Sequence, residues 1–459
     1  MPVASARLAP VELPVLERSD VAPQLPAALY AARLERLRER AEAHGYDRLV
    51  VYADREHSAN LLYLTGFDPR FEEAIMVVSA TGRPTLLAGN ECIGLARDAP
   101  LAVDPVLFQE LSLPSQPRDR SKPLATILAA AGIEPGTRVG VIGWKGGPDP
   151  SWINAPAYLV DTLRRLVGGG TVEDATDLLI DAAGGMRVVS EPEQIAAFEH
   201  AACETSSGVR NLLFGLHPGL REREAVRLLE WSGAPLSCHL MLTAGPRARH
   251  GLLSPGDRVI ERGDPLTVAF GIWGALNCRA GFVVEDSSEL DPQIRDYVDR
   301  LVAPYFATVA EWYGALHIGQ TGGALHEIVR RGLGDPFFGI FLNAGHQLHL
   351  DEWVNSPIGP GSTIELSSGM LLQVDIIPAT GGPYFTTNIE DGVALADAAL
   401  RATLSRQYPE LWDRVERRRG FMRDALGIDL HPDVLPLSNV SAFLPPFLLR
   451  PDLAMTIAG

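Results

Sequence analysis

The chain has 459 residues, of which 46% are hydrophobic and 21% charged, as in an ordinary globular protein. Its formal net charge of −17 excludes nucleic acid as a partner, because phosphate binding needs clustered Lys and Arg. The four cysteines are widely spaced without a CxxC motif, which indicates reduced thiols. No apolar stretch is long enough for a membrane span, and the first residues lack the pattern of a secretory signal. We therefore expect a cytoplasmic protein without a membrane partner.

The first part of the chain predicts an arm followed by an α/β domain. Residues 1–26 are rich in Pro and Ala without periodicity, which is typical of an extended arm. Residues 27–187 then combine an amphipathic helix at 28–44 with short β-branched runs such as 48–53 and 74–80. This alternation of helix and strand patterns indicates an α/β domain.

A second domain is predicted over residues 188–427. Ser190 and Glu193 have the spacing of a helix capping box, and Pro192 suits the first turn, so we expect a helix from there to about Leu213.

Apolar runs that predict strands dominate the rest of this domain, among them 265–274 and 282–286. A single helix is expected over 397–425. The remaining residues, 428–459, form an apolar tail broken by prolines, which must pack on its own domain or on a partner.

Two histidine segments are candidates for chemistry in the second domain. His250 lies in a loop, where a side chain near its ordinary pKa suits general acid–base work; a plain surface histidine is the alternative. His346 and His349 are three residues apart, so a strand would place them on opposite faces. A functional site is one interpretation of this segment; the alternative is a single structural histidine with Asp351 and Glu352 as a solvated acidic pair.

Carboxylates in apolar strands are the second signal. Asp375 interrupts a run that predicts a buried strand, and a buried carboxylate is costly unless it is paired or binds a cation. Glu390 and Asp391 begin another apolar strand. If Glu390 points inward, strand alternation predicts that Asp391 points to solvent.

In this order, these sites resemble the creatinase, prolidase and aminopeptidase P family. The resemblance extends to the N-terminal half, where family-like positions are Asn60, Leu61, Tyr63, Gly66 and Phe67. It implies an α/β N-terminal domain followed by an α+β pita-bread domain with a curved antiparallel sheet. It also implies a homodimer acting on a small-molecule substrate.

The metal ligands of the family are only partly retained. The resemblance places three of its ligand positions on His346, Asp375 and Glu390. The two Asp positions that bridge metals in the family fall on Ala269 and near Asn277 or Ala280. This loss implies no tightly bound cofactor, or at most one divalent metal on the three remaining ligands.

Creatinase, which works without metal, is the precedent within the family for such a loss. By resemblance, His250 would be the catalytic base, His346 would orient the reacting group, and Arg70 would hold a substrate carboxylate in a site completed by the partner subunit. The same comparison implies that substrate is bound by Phe67, Trp273, Asn277, Asp351, Asp375 and Glu390.

Three functions follow from this sequence. The leading expectation is a metal-independent, creatinase-like hydrolase of a C–N bond, either an amide, an amidine or a peptide bond. The first alternative is a divergent Xaa-Pro-type aminopeptidase or dipeptidase with one metal on His346, Asp375 and Glu390. The second is a pseudoenzyme that keeps the fold as a binding module.

Overall fold

The computed structural model describes residues 5–18 and 20–458. Residues 1–4, 19 and 459, which belong to the expected arm and tail, lie outside the described residues. The chain divides into two compact units. Leu25–Val188 form the N-terminal domain, and the C-terminal domain combines the described residues up to Gln24 with those from Val189 onward.

The arm is part of the C-terminal domain, because its strand β1 (Ala6–Pro10) pairs antiparallel with β15 (Leu453–Ile457) near the chain end. The apolar tail packs on the same domain: Val440, Phe443 and Leu444 are fully buried. The tail is therefore covered within one chain, and it supplies no argument for a homodimer.

The N-terminal domain is the expected α/β unit. Its sheet has the strand order β5-β4-β3-β2-β6-β7 and mixes parallel and antiparallel pairs. Its core consists of apolar side chains from these strands and the helices that cover them. The elements are α1 (Ala27–Ala43), β2 (Arg48–Ala53), α2 (Ala59–Thr65), β3 (Ala74–Ser79), β4 (Thr85–Ala88), α3 (Ile93–Arg97), β5 (Asp104–Leu107), α4 (Leu124–Ala130), β6 (Arg138–Ile142), α5 (Ala157–Val167), β7 (Thr171–Asp174) and α6 (Asp177–Ile180).

The C-terminal domain is built on an antiparallel sheet. Its order is β11-β12-β13-β10-β9-β8, with β14 added to β13. The elements are α7 (Pro192–Gly215), α8 (Glu222–Ala225), β8 (Met241–Ala244), β9 (Pro265–Ile272), β10 (Ala275–Phe282), α9 (Ala303–Ala315), α10 (Gly322–Leu333), β11 (His346–Gln347), β12 (Leu371–Asp375), β13 (Asn388–Leu395), α11 (Ala398–Gln407), α12 (Pro409–Asp424) and β14 (Val434–Pro436). The expected fold class, an α/β domain followed by a pita-bread domain, is confirmed.

Several local expectations differ from the structure. Helix α7 begins at Pro192 with Glu191 as its N-cap, so Ser190 does not cap it. The helix expected over 397–425 is two helices divided at Tyr408, because Pro409 has no N–H to continue the first helix and instead begins the second. Residues 283–286, expected to form a strand, lie outside one, because β10 ends at Phe282. Among the described residues, no helix combines the length and apolarity that a membrane crossing requires.

Asp391 does not point to solvent as the strand pattern predicted; it is fully buried. Its Oδ2 atom lies 2.8 Å from the guanidinium of Arg279 and accepts from the backbone N–H of Ala442 at 2.9 Å. Its Oδ1 atom accepts from Asn277 Nδ2 at 2.6 Å and from Ser438 Oγ at 2.8 Å. Because the C-terminal tail covers this face of the sheet, both faces of β13 are buried and alternation does not expose either one.

We expect Asp391→Ala to lower the free energy of unfolding by about 3–5 kcal/mol, because it leaves the buried Arg279 guanidinium without its counter-charge. Denaturant titration measures the change. Asp424→Ala, which removes an exposed carboxylate, is the matched control and should have little effect. Equal stability of the two variants would contradict a structural role for Asp391.

Candidate active site

Five side chains form one row across the central sheet of the C-terminal domain. Pairing joins Met241 to Ala269, Ala269 to Cys278, Cys278 to Glu390, and Glu390 to Asp375. Directly opposed residues in a sheet point to the same face, and all five line a single cleft of about 890 Å³. The row therefore runs from sulfur and methyl groups at one end to two carboxylates at the other.

A histidine and a third carboxylate complete the acidic end of the row. His346 lies in β11, which pairs with β12. Its Nε2 atom is 3.5 Å from Glu352 Oε1, 3.6 Å from Glu390 Oε1 and 3.9 Å from Asp375 Oδ2. These four residues, His346, Glu352, Asp375 and Glu390, are called the acidic cluster below.

The imidazole of His346 is held in place from two sides. Its ring stacks on that of Trp353, with centroids 4.1 Å apart and planes 15° apart. Its Nδ1 atom is 3.2 Å from the backbone oxygen of Gln347. With the proton on Nδ1, the lone pair of Nε2 faces the three carboxylates.

Two buried polar atoms of the acidic cluster lack a hydrogen-bond partner, His346 Nε2 and Asp375 Oδ1. Such atoms are rare inside proteins, and an ion is one of the explanations for them. Single donor atoms of His346, Glu352 and Glu390 also lie within 4.8 Å of one another. One imidazole with carboxylate oxygens is a donor set that suits a divalent transition metal such as Mn²⁺, Fe²⁺, Co²⁺ or Zn²⁺. The residues therefore fit a single cation.

The electrostatics of the cluster agree with this fit. Burial raises the pKa of the Asp375 carboxyl to about 8, and the charge of Glu390 adds to the shift. Burial likewise raises the pKa of Glu352 and that of Glu390. Without a cation, these carboxyl groups retain protons near neutral pH, and a bound cation would displace them.

The structure brings together three residues that the sequence singled out, His346, Asp375 and Glu390. It adds Glu352, for which a solvated acidic pair was one of two interpretations and which was not among the predicted site residues. Its side chain is only 28% exposed and points into the cluster. The sequence signal for this residue was weak, since strand β11 is two residues long and the loop after it follows no period.

His250 lies on the same cleft, away from the sheet. It ends a 3-10 turn, Gly245–His250, and its Nε2 atom is 3.3 Å from Arg249 Nε. The buried Glu222 supports this loop by accepting from the backbone N–H of Ala244 and of Gly256. The cleft therefore carries an exposed histidine on a loop that is held at its base.

Three other expected site residues do not line this cleft. Asn277 points to the opposite face, where it binds Thr205, Asp391 and Ser438, because it is one position away from Cys278 on the same strand. Trp273 lies in the turn between β9 and β10. The backbone oxygen of Asp351 accepts from the N–H of His349 at 3.1 Å, and its side chain is not part of the cleft lining.

The remaining two expected residues belong to the N-terminal domain. Phe67 is only 3% exposed and forms part of that domain's core; its expected contact with substrate stays a prediction. Arg70 is partly buried in the same segment, and its backbone N–H donates to Asp68 Oδ1. Its expected role in a shared site stays a prediction.

Comparison with known proteins agrees with this architecture. The family model described as Creatinase/Prolidase N-terminal domain matches residues 33–145. No curated protein sequence matches the chain significantly. Among solved structures, the chain is similar to the prolidase from Thermococcus sibiricus, with TM-score 0.63 and 18% identity over 80% of this chain and 95% of that one.

Two further solved structures give the same result. The prolidase from Pyrococcus horikoshii OT3 aligns with TM-score 0.61 and 16% identity over 80% of this chain and 95% of that one. The Xaa-Pro dipeptidase from Bacillus anthracis aligns with TM-score 0.60 and 17% identity over 81% and 96%. The chain thus has a two-domain fold similar to that of these solved structures. Residues 33–145 match the Creatinase/Prolidase N-terminal domain model, and the resemblance to the creatinase, prolidase and aminopeptidase P family is confirmed.

The acidic cluster predicts how the stability of chelator-treated protein depends on pH. The folded chain keeps protons on carboxyl groups that the unfolded chain releases near pH 4. The unfolded state therefore binds fewer protons between about pH 4 and the raised pKa of Asp375, about 8. The free energy of unfolding should fall as pH rises through this window.

Thermal melts of the metal-free protein at several pH values measure this trend. The control is Asp375→Asn, which keeps the shape of the side chain but cannot ionise, and its melting temperature should depend less on pH. The same pH dependence in both proteins would show that Asp375 does not hold a proton in the folded state.

Proposed function

We propose that the chain is a metal-dependent hydrolase of the Xaa-Pro dipeptidase or aminopeptidase type, which cleaves a peptide bond with one divalent metal ion in the acidic cluster. The observation that carries the proposal is His346 Nε2, buried without a hydrogen-bond partner among three carboxylates.

His346, Asp375 and Glu390 would hold the metal, and Glu352 lies beside them at the same site. A divalent cation at such a site would supply Lewis-acid chemistry, polarising a substrate carbonyl and lowering the pKa of water near neutral pH. The contact of Nδ1 with the Gln347 oxygen and the stacking on Trp353 keep the His346 ring in the required orientation.

Charge decides how many cations the cluster can take. Three carboxylates exceed the charge of one divalent cation by one unit, so one carboxylate remains free to accept the proton of the attacking water. Glu352 is the most exposed of the three, and we assign this role to it. His250, on the same cleft, would then protonate the leaving nitrogen.

The comparisons favour this proposal over the leading expectation from sequence. The similar structures carry the names prolidase and Xaa-Pro dipeptidase. Two parts of the creatinase-like hypothesis also lose support in the structure, since Asn277 faces away from the cleft and the cleft is large for a small guanidino compound. Hydrolysis of creatine that persists in chelator, with none of Xaa-Pro dipeptides, would restore that hypothesis.

Metal content tests the proposal directly. We expect one equivalent of divalent metal per chain after reconstitution and dialysis, measured by elemental analysis. Asp375→Asn and His346→Ala should each weaken metal affinity by more than about 100-fold, since even the loss of an outer-shell partner costs 10- to 100-fold. Glu416→Gln, on the exposed face of α12, is the control. Two tightly held equivalents, or unchanged affinity in both cluster variants, would contradict a single site here.

His250 tests the proposed acid. His250→Ala should lower kcat on an Xaa-Pro dipeptide by about 10²–10⁴-fold and leave the metal content unchanged, because His250 is not a ligand. His217→Ala, an exposed histidine outside the cleft, is the matched control. Unchanged turnover of His250→Ala would remove this residue from the mechanism.

A further inference from the structure

Large apolar side chains are exposed at the mouth of the cleft. Phe341 is 74% exposed, Leu252 68% and Leu342 44%, and all three line the cleft. Exposed apolar side chains that gather at one place, rather than scatter singly, mark a binding surface. Here they belong to the same cavity as the acidic cluster.

The inner wall of the cleft continues this apolar surface. Trp353, which stacks on the His346 ring, and Phe385 both line the cavity and are partly buried. Phe385 has a φ of 55°, a conformation that is costly for a bulky residue and that tends to persist where function requires it. Its ring is also edge-on to Phe282, at 6.2 Å between centroids. The Phe385 side chain is thus held at the wall although the backbone conformation of this residue is unfavourable.

Charge is unevenly distributed around the cavity. The carboxylates that line it are those of the acidic cluster, and Arg249 and His250 lie together on one loop. His239 and Arg279 also line the cavity, and the Arg279 guanidinium is paired with Asp391. The wall of Leu342, Phe341, Trp353 and Phe385 carries no charge. A substrate that reaches the cluster along this wall must place an uncharged group against it, because a charged group would be desolvated there without a partner.

We infer that the substrate carries a large apolar side chain, aromatic or branched aliphatic, beside the bond that is cleaved, and that this side chain packs against Phe341, Leu342, Trp353 and Phe385. The inference rests on the proposed function, because the acidic cluster determines which bond is beside the wall. The cavity of about 890 Å³ lies in the upper part of the range typical of small-molecule sites, about 300–1,000 Å³, so it has room for such a group.

Two hydroxamates test the inference by equilibrium binding, independently of turnover. Acetohydroxamate and phenylacetohydroxamate chelate a metal through the same group and differ only in the phenyl ring. In Co²⁺-loaded protein we expect phenylacetohydroxamate to bind at least about 10-fold more tightly, the discrimination that an apolar pocket typically provides. In the double variant Phe341→Ser, Leu342→Ser, the ratio should fall to about 2 or less with Co²⁺ content unchanged. Phe214→Ser, an exposed aromatic outside this cavity, should keep the ratio.

The outcomes separate the two proposals. Equal binding of both hydroxamates to wild-type protein would overturn the inference and leave the metal site intact. Loss of the preference in Phe214→Ser as well would also overturn it. A double variant that keeps the preference, but changes its sedimentation from dimer to monomer, would show that these side chains form a subunit contact. Failure of Co²⁺ itself to bind would overturn the proposed function and the inference with it.

Discussion

The concentration of carboxylates in a desolvated sheet is the constraint on which this C-terminal domain depends. Strand β13 carries two adjacent acids, Glu390 and Asp391, and the alternation of side chains sends them to opposite faces. Asp391 receives the Arg279 guanidinium and several hydrogen bonds within the chain. Glu390 meets two further carboxylates and an imidazole. On the Asp391 face, the carboxylate charge is neutralised by Arg279. On the Glu390 face, the carboxylate charges are neutralised only by protons or by a cation.

This asymmetry explains why the two faces serve different purposes. On the Asp391 side, Arg279 and Asp391 form hydrogen bonds with the backbone of the C-terminal tail. The tail is therefore part of the domain core. On the Glu390 side, His346 Nε2 and Asp375 Oδ1 stay unpartnered. A site that binds and releases a ligand needs such unsatisfied groups, whereas a structural network that kept them would lose stability.

Much of the fold could be predicted from sequence, because helices and strands have short periods that local sequence records. Helix α1 and strands β2 and β3 lie where the apolar patterns indicated. The errors fell where neighbours in space override the pattern. Asp391 was expected at the surface because the covering tail is far along the chain, and Asn277 was expected in the cleft although one position of strand register sends it to the other face.

By itself, the sequence determined the two-domain order, the strand that buries Asp375, and the candidacy of His346 and Glu390, since each is written in a local run of residues. Only the tertiary structure decided that these three side chains meet, that Glu352 joins them, and that Ala269 and Cys278 continue their row without a charge. Whether a carboxylate is solvated or crowded depends on residues from other strands and loops. Burial is a property of the assembled chain, and no local pattern around Glu352 encodes it.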